Sequence, residues 1–199
     1  MKRILQTLFL AGSIVMARAQ GEAIQDFATG STGPFNATAG WAFTTTDVLT
    51  VSSLGCLANL INVYGAVNVG LWDNNGVALA TVSVATTNDL YNASRYVSIQ
   101  PLILAAAQTY RVGVYSPSAM YLTYLDSPPL PGEYVTTGLG IGTVKNALAV
   151  SGFTFPSGTG PDGTIVFGAN FRYTPSIPEP ATGLLFVTGL IFIATRARR

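Results

Sequence analysis

Between Thr164 and Tyr173 every second residue falls on one apolar row. Ile165, Phe167, Ala169, Phe171 and Tyr173 point one way, and Val166, Gly168, Asn170 and Arg172 the other. A repeat of two is the pitch of a β-strand with one buried face, whereas a buried helix stripe needs apolar residues three and four apart. Thr109–Tyr115 repeats the pattern, with Tyr110, Val112 and Val114 on one face and Arg111, Gly113 and Tyr115 on the other. Residues 66–72 and 77–84 are two further strand-like runs, separated by Asp73-Asn74-Asn75-Gly76. An Asn-Gly pair supplies the positive φ angles of a tight hairpin.

Residues 40–174 keep this character almost throughout, rich in Val, Thr, Tyr and Phe and punctuated by turn residues. No amphipathic helix is predicted in this stretch: residues 88–94 read as a loop, and Ala105-Ala106-Ala107 is too short for a helix. Ser127-Pro128-Pro129-Leu130-Pro131-Gly132 is a loop as well, because prolines at that density cannot pair inside a sheet. Many short strands without helices predict an all-β fold, an antiparallel β-sandwich of jelly-roll-like form. No fixed repeat points to a solenoid or propeller.

The two ends follow a different logic. Met1-Lys2-Arg3, a largely apolar run from Ile4 to Val15 and the small-x-small triplet Ala17-Arg18-Ala19 have the layout of a secretory signal peptide, with Gln20 as the first mature residue. Signal peptidase is the partner this implies, and no cysteine follows the cleavage point to carry a lipid. At the other end, Pro178-Glu179-Pro180 precedes an uncharged apolar run, Ala181 to Ala194, and then Arg196, Arg198 and Arg199. As a helix these 14 residues reach roughly 21 Å, short of the hydrocarbon core of roughly 30 Å. The prolines isolate the segment from what precedes it, and the arginines favour the cytoplasmic side. The domain division expected is a signal peptide over 1–19, a β-sandwich over 20–174, and a linker with a hydrophobic sorting helix over 175–199.

The triplet, the apolar run and the arginines together resemble the PEP-CTERM sorting signal of exported bacterial proteins. The resemblance implies recognition by a membrane exosortase, transient anchoring in the inner membrane of a Gram-negative cell, and cleavage near Pro178-Glu179-Pro180. Trp41-Ala42-Phe43-Thr44, Val51-Ser52-Ser53-Leu54-Gly55, Val69-Gly70-Leu71-Trp72-Asp73 and Thr109-Tyr110-Arg111-Val112-Gly113 resemble a β-rich domain of unassigned function in bacterial surface proteins. That likeness implies a sandwich and no catalytic residue.

The formal charge of +1 belongs to the signals. Between Gln20 and Thr174 only Arg95, Arg111, Lys145 and Arg172 face eight acids, a net of about −4. A mildly acidic body with scattered bases lacks the basic stripe that nucleic-acid binding requires.

The chain has no histidine, which removes Ser-His-Asp and Cys-His catalysis and histidine metal sites. Cys56 is the only cysteine and sits in the apolar run Leu54–Ala58, where a thiol behaves as a small buried hydrophobe. The acids are dispersed singly in turns, so no catalytic residue, metal site or cofactor is assigned. Asp73-Asn74-Asn75-Gly76 lacks the alternate ligand spacing of a calcium loop.

Trp72 and Tyr115 lie opposite the aliphatic faces of their strands, and Asn68 shares the face of Trp72. Aromatic faces with an amide beside them suit saccharide stacking, so these three are the candidate ligand-binding residues; an inward, core-forming face is the competing reading. The expectation is a non-enzymatic exported surface or extracellular-matrix protein with an exopolysaccharide partner. Its alternatives are a glycan hydrolase using loop carboxylates such as Asp73, Asp126 and Asp162, and a self-assembling envelope subunit.

Overall fold

The computed structural model describes residues 20–25, 31–115, 120–124, 138, 140–148, 151–158 and 166–176. Residues 1–19, expected from the sequence to be a signal peptide, residues 127–132, expected to be a loop, and the apolar run behind Pro180 lie outside the described residues. The described strands are β1 (Gly21–Glu22), β2 (Ser31–Phe35), β3 (Ala39–Thr45), β4 (Leu49–Leu57), β5 (Val67–Asp73), β6 (Ala78–Val84) and β7 (Asp89–Tyr91). They continue with β8 (Ser94–Leu104), β9 (Thr109–Tyr115), β10 (Met120–Tyr124), β11 (Ile141–Leu148), β12 (Val166–Phe167) and β13 (Ala169–Pro175).

Two five-stranded antiparallel sheets form the sandwich. The first has the order β1-β13-β4-β8-β7 and the second β11-β3-β9-β5-β6; a small third sheet runs β12-β10-β2. Setting aside the extra edge strands β7 and β11, the first strand of the sandwich lies beside the last and the second beside the last but one. This wrapping of an early hairpin around a late one is the double Greek key of a jelly roll, in agreement with the sequence expectation.

The core sits between the two sheets. Val67, Val69 and Leu71 of β5, Val112 and Val114 of β9, and Leu49, Val51 and Leu54 of β4 are all buried. Aromatic rings tie the sheets together: Trp41 of β3 stacks on Phe171 of β13 with centroids 5.8 Å apart, and Phe43 meets the same ring at 5.0 Å. The Trp41 indole Nε1–H donates to the Ala169 carbonyl across the sandwich at 2.9 Å. Burying that ring therefore leaves its one donor satisfied.

Three local expectations need correction. A helix, α1 (Ala58–Tyr64), follows β4 directly. It lacks an acidic first turn and a side-chain N-cap, so it has none of the usual start signals; burial of Leu60 and Ile61 holds it instead. Residues 88–94 are not simply a loop, since β7 pairs with β8 through a tight turn in which Asn92 takes φ 49°. Finally, the run from Thr164 to Tyr173 is not one strand: Gly168 separates β12 from β13, and the two join different sheets. Phe171 and Tyr173 do share the buried face, as the alternation predicts.

The 73–76 hairpin forms as expected. Gly76 takes φ 88°, and the Asp73 carboxylate Oδ1 accepts from the backbone N–H of Asn75 and of Val77 at 2.9 and 2.8 Å. This carboxylate is thus engaged in shaping its own turn.

Candidate functional site

The outer face of the second sheet brings the candidate ligand residues together. In the β5–β9 ladder Asn68 lies opposite Tyr115, Gly70 opposite Gly113, and Trp72 opposite Arg111. Because side chains alternate across a strand, all six project away from the core that holds Val69 and Leu71. Gly70 and Gly113 leave a shallow floor, and the Trp72 indole lies over it. A Cβ on Gly70 would stand 2.6 Å from the indole Cζ2, and one on Gly113 3.6 Å from Cζ3. The absence of a side chain at Gly70 is what lets the ring lie against the sheet, whereas at Gly113 an added Cβ would meet the ring only in ordinary contact and would crowd Thr38 Cγ2 at 2.7 Å.

A strap, residues 151–158, crosses this face. Phe153 packs on Trp72 at 5.6 Å and on Tyr115 at 6.3 Å. Phe155 receives the Arg111 guanidinium at 4.9 Å, and Arg111 Nη1 donates to the Pro156 carbonyl. Partial burial draws the Arg111 pKa below the ordinary arginine value. Thr38 pins the strap from the other side: its hydroxyl donates to the Gly152 carbonyl at 2.7 Å and accepts from the Thr154 N–H at 2.9 Å. Trp72 is consequently only 4% exposed, whereas Asn68 and Tyr115 stay half-buried. Neither sequence reading of Trp72 anticipated this arrangement: the ring is on the outer face and yet covered. Phe153 and Phe155 belong to an irregular segment, so no periodicity in the sequence marks them.

The outer face of the first sheet carries a second polar cluster that the sequence did not single out. Glu22 of β1 is 5% exposed; it accepts from the Tyr96 hydroxyl and from Asn92 Nδ2, each at 2.5 Å. Tyr96 lies across Gly55, where an added Cβ would come 2.6 Å from its Cε1. Arg172, opposite Glu22 in the β1–β13 register, stacks its guanidinium 4.4 Å from the Tyr91 ring centroid and 5.8 Å from that of Tyr96. Burial, reinforced by the Glu22 carboxylate, pushes the Tyr96 phenol pKa well up, so the hydroxyl remains a donor. The cluster ties β1 and β13 to the β7–β8 hairpin.

Nothing in these two clusters forms a nucleophile–base pair. Cys56 is fully buried in β4, and burial pushes its thiol pKa far above the ordinary value, which disfavours the reactive thiolate. Among the described residues no three His, Cys, Asp or Glu side chains converge to hold a metal. Asp126 and Asp162 lie outside the described residues.

The fold therefore defines a jelly-roll β-sandwich with one aromatic outer face strapped by its own chain. Residues 176–199 match the PEP-CTERM protein-sorting motif, which takes in Pro178, Glu179, Pro180, Arg196, Arg198 and Arg199. The chain is thus an exosortase-targeted, exported protein carrying this motif directly behind β13. Comparison with curated proteins finds no match. Among solved structures, the infectious bursal disease virus VP2 subviral particle is similar at 14% identity and TM-score 0.20, over 90% of this chain and 49% of that one. A structure of the infectious bursal disease virus Gx strain gives 15% identity and TM-score 0.18, over 91% of this chain and 46% of that one. The chain spans about half the length of these structures.

Proposed function

We propose that this chain is a non-enzymatic protein of the surface or extracellular matrix of a Gram-negative bacterium, held transiently in the inner membrane and released by exosortase. Signal peptidase removes residues 1–19 in this reading. The observation that carries it is the sorting motif at 176–199 behind a domain whose outer face is lined by aromatic residues. An exopolysaccharide is the proposed partner. Tyr115 and Asn68, paired across β5 and β9, offer a stacking ring beside an amide that can hydrogen-bond hydroxyls, with Trp72 as the apolar support beneath.

The test is retention of the exported protein on polysaccharide isolated from its own host. The expected result is binding that weakens about tenfold or more in Tyr115→Ala and Asn68→Ala, the loss of one stacking or hydrogen-bonding contact at about 1.4 kcal/mol per decade. Absence of retention by the wild-type protein rejects the polysaccharide partner. Mass spectrometry of the same protein addresses processing: an N-terminus at Gln20 and a C-terminus near Pro180 are expected, and an intact Arg199 contradicts tail cleavage.

A further inference from the structure

An antiparallel sandwich leaves the outermost strand of each sheet with unpaired N–H and C=O groups, and natural sheets blunt such edges. The described sheets end at six strands, and five carry an evident protection. β1 and β12 are two residues long and β7 three. β2 contains Pro34, and β11 carries Lys145 and a break in register between Ile141 and Val144. The stretch of β8 beyond its pairing with β7 contains Pro101.

The sixth edge, β6, is different. A bulge at Leu79 disturbs only its start, and Ala80–Val84 pairs regularly with β5 on one side. From Asn74 to Asn88 the sequence has neither a charged residue nor a proline. Along β6 the side chains alternate. Thr81 and Ser83 are exposed, whereas Ala80 and Val82 turn towards the core and are only partly covered. Beside them, Leu79 of β6 and Ile99 and Leu102 of β8 are also incompletely buried against the core.

We propose that the β6 edge is a self-association surface and that its occupant is the β6 strand of a second copy, paired antiparallel about a two-fold axis. Such a pairing is isologous, so each residue must tolerate its own counterpart or a near neighbour. β6 meets that condition: small hydroxyl and aliphatic side chains face one another and no like charges are brought together. Strand addition satisfies the open backbone groups of both copies and joins two five-stranded sheets into one. It also covers the half-buried Leu79 and Val82 on each side. A polyanionic or cationic partner finds no complementary charge on this strand, which favours a second copy over other occupants.

The exported protein, purified from its host after processing, is examined by size-exclusion chromatography with light scattering from about 1 to about 100 µM, the range of dissociation constants expected for a small interface. Wild-type protein is expected to dimerise with concentration. The double variant Thr81→Lys/Ser83→Lys is expected to weaken the dimer at least about tenfold, and Thr81→Glu/Ser83→Glu to do the same. Both positions are exposed, so unchanged melting temperatures check that the monomers stay folded. An equimolar mixture of the two variants is expected to restore association. A wild-type protein that stays monomeric over this range overturns the proposal. So does a dimer unaffected by the lysines, or a mixture that stays monomeric although each variant has lost the dimer.

Discussion

Gly70→Ala tests the strapped aromatic face directly. The added methyl meets three atoms of the Trp72 ring, with Cζ2 at 2.6 Å and Cζ3 at 2.8 Å. The ring cannot simply lift away, because Phe153 lies on it. Overpacking of this kind costs about 1–3 kcal/mol, and losing the Trp72–Phe153 pair a further ~0.5–1.5 kcal/mol. Replacing glycine in a strand returns about 0.5–1 kcal/mol by lowering backbone entropy in the unfolded chain. The net expectation is a destabilisation of about 0.5–4 kcal/mol, or a fall in Tm of roughly 1–16 °C for a domain of this size. Chemical denaturation gives the energy, and tryptophan emission gives the mechanism. Trp41 is sealed in the core, so a red shift and greater acrylamide quenching report Trp72. In a Trp72→Leu background the same glycine substitution should be close to neutral. A Gly70→Ala protein with unaltered Tm and emission, or an equal loss in both backgrounds, refutes the packing assigned to this face.

Asn170→Ala should cost about 3 kcal/mol in urea unfolding, because the buried amide accepts from the Ile24 and Phe171 N–H groups and donates to the Ile24 carbonyl, and the substitution removes all three bonds from a buried site. Gly40→Ala should be worse still and give little folded protein by circular dichroism, since its methyl stands 2.6 Å from the Gly113 Cα and nearer yet to the Val112 carbonyl in the paired strand. Stability should fall at alkaline pH. Burial raises the folded-state pKa of Cys56 and takes that of Tyr173 to about 12, so the stability they hold is complete below their unfolded values near 9 and 10 and is lost as pH rises from there. Each such group contributes a slope of about −1.4 kcal/mol per pH unit within its window. Cys56→Ala should therefore flatten the first part of the decline in denaturant midpoints measured from pH 8 to 11, and an unchanged slope contradicts this.

The strands were legible where one face is uniformly apolar. Val67–Val69–Leu71 and Tyr110–Val112–Val114 have the alternation of a half-buried sheet, and the Asn75-Gly76 pair announced its hairpin. The pairing of β1 with β13, which closes the jelly roll, joins residues more than a hundred positions apart, and no local pattern encodes it. The helix at Ala58–Tyr64 escaped because tertiary burial of two residues, rather than caps or periodicity, holds it. Of the candidate site, the common face of Asn68, Trp72 and Tyr115 followed from strand alternation. Its cover did not, since Phe153 and Phe155 reach it from a segment without a repeating pattern. Glu22 was also hidden: a lone acid early in the chain gives no hint that Tyr96 and Asn92 converge on it from a distant hairpin.

The position of β13 within its sheet has a consequence for the order of events during export. This strand is an interior member, hydrogen-bonded to β1 on one side and β4 on the other, and it is supplied by the last residues before the sorting motif. A chain threading outward from its N-terminus lacks that strand until nearly all of the body has crossed. The first sheet therefore stays incomplete until residue 175 is available to it. Completion of the fold becomes a report that residue 175 has arrived outside, with the ends of β1 and β13 side by side and the processing signal next in line.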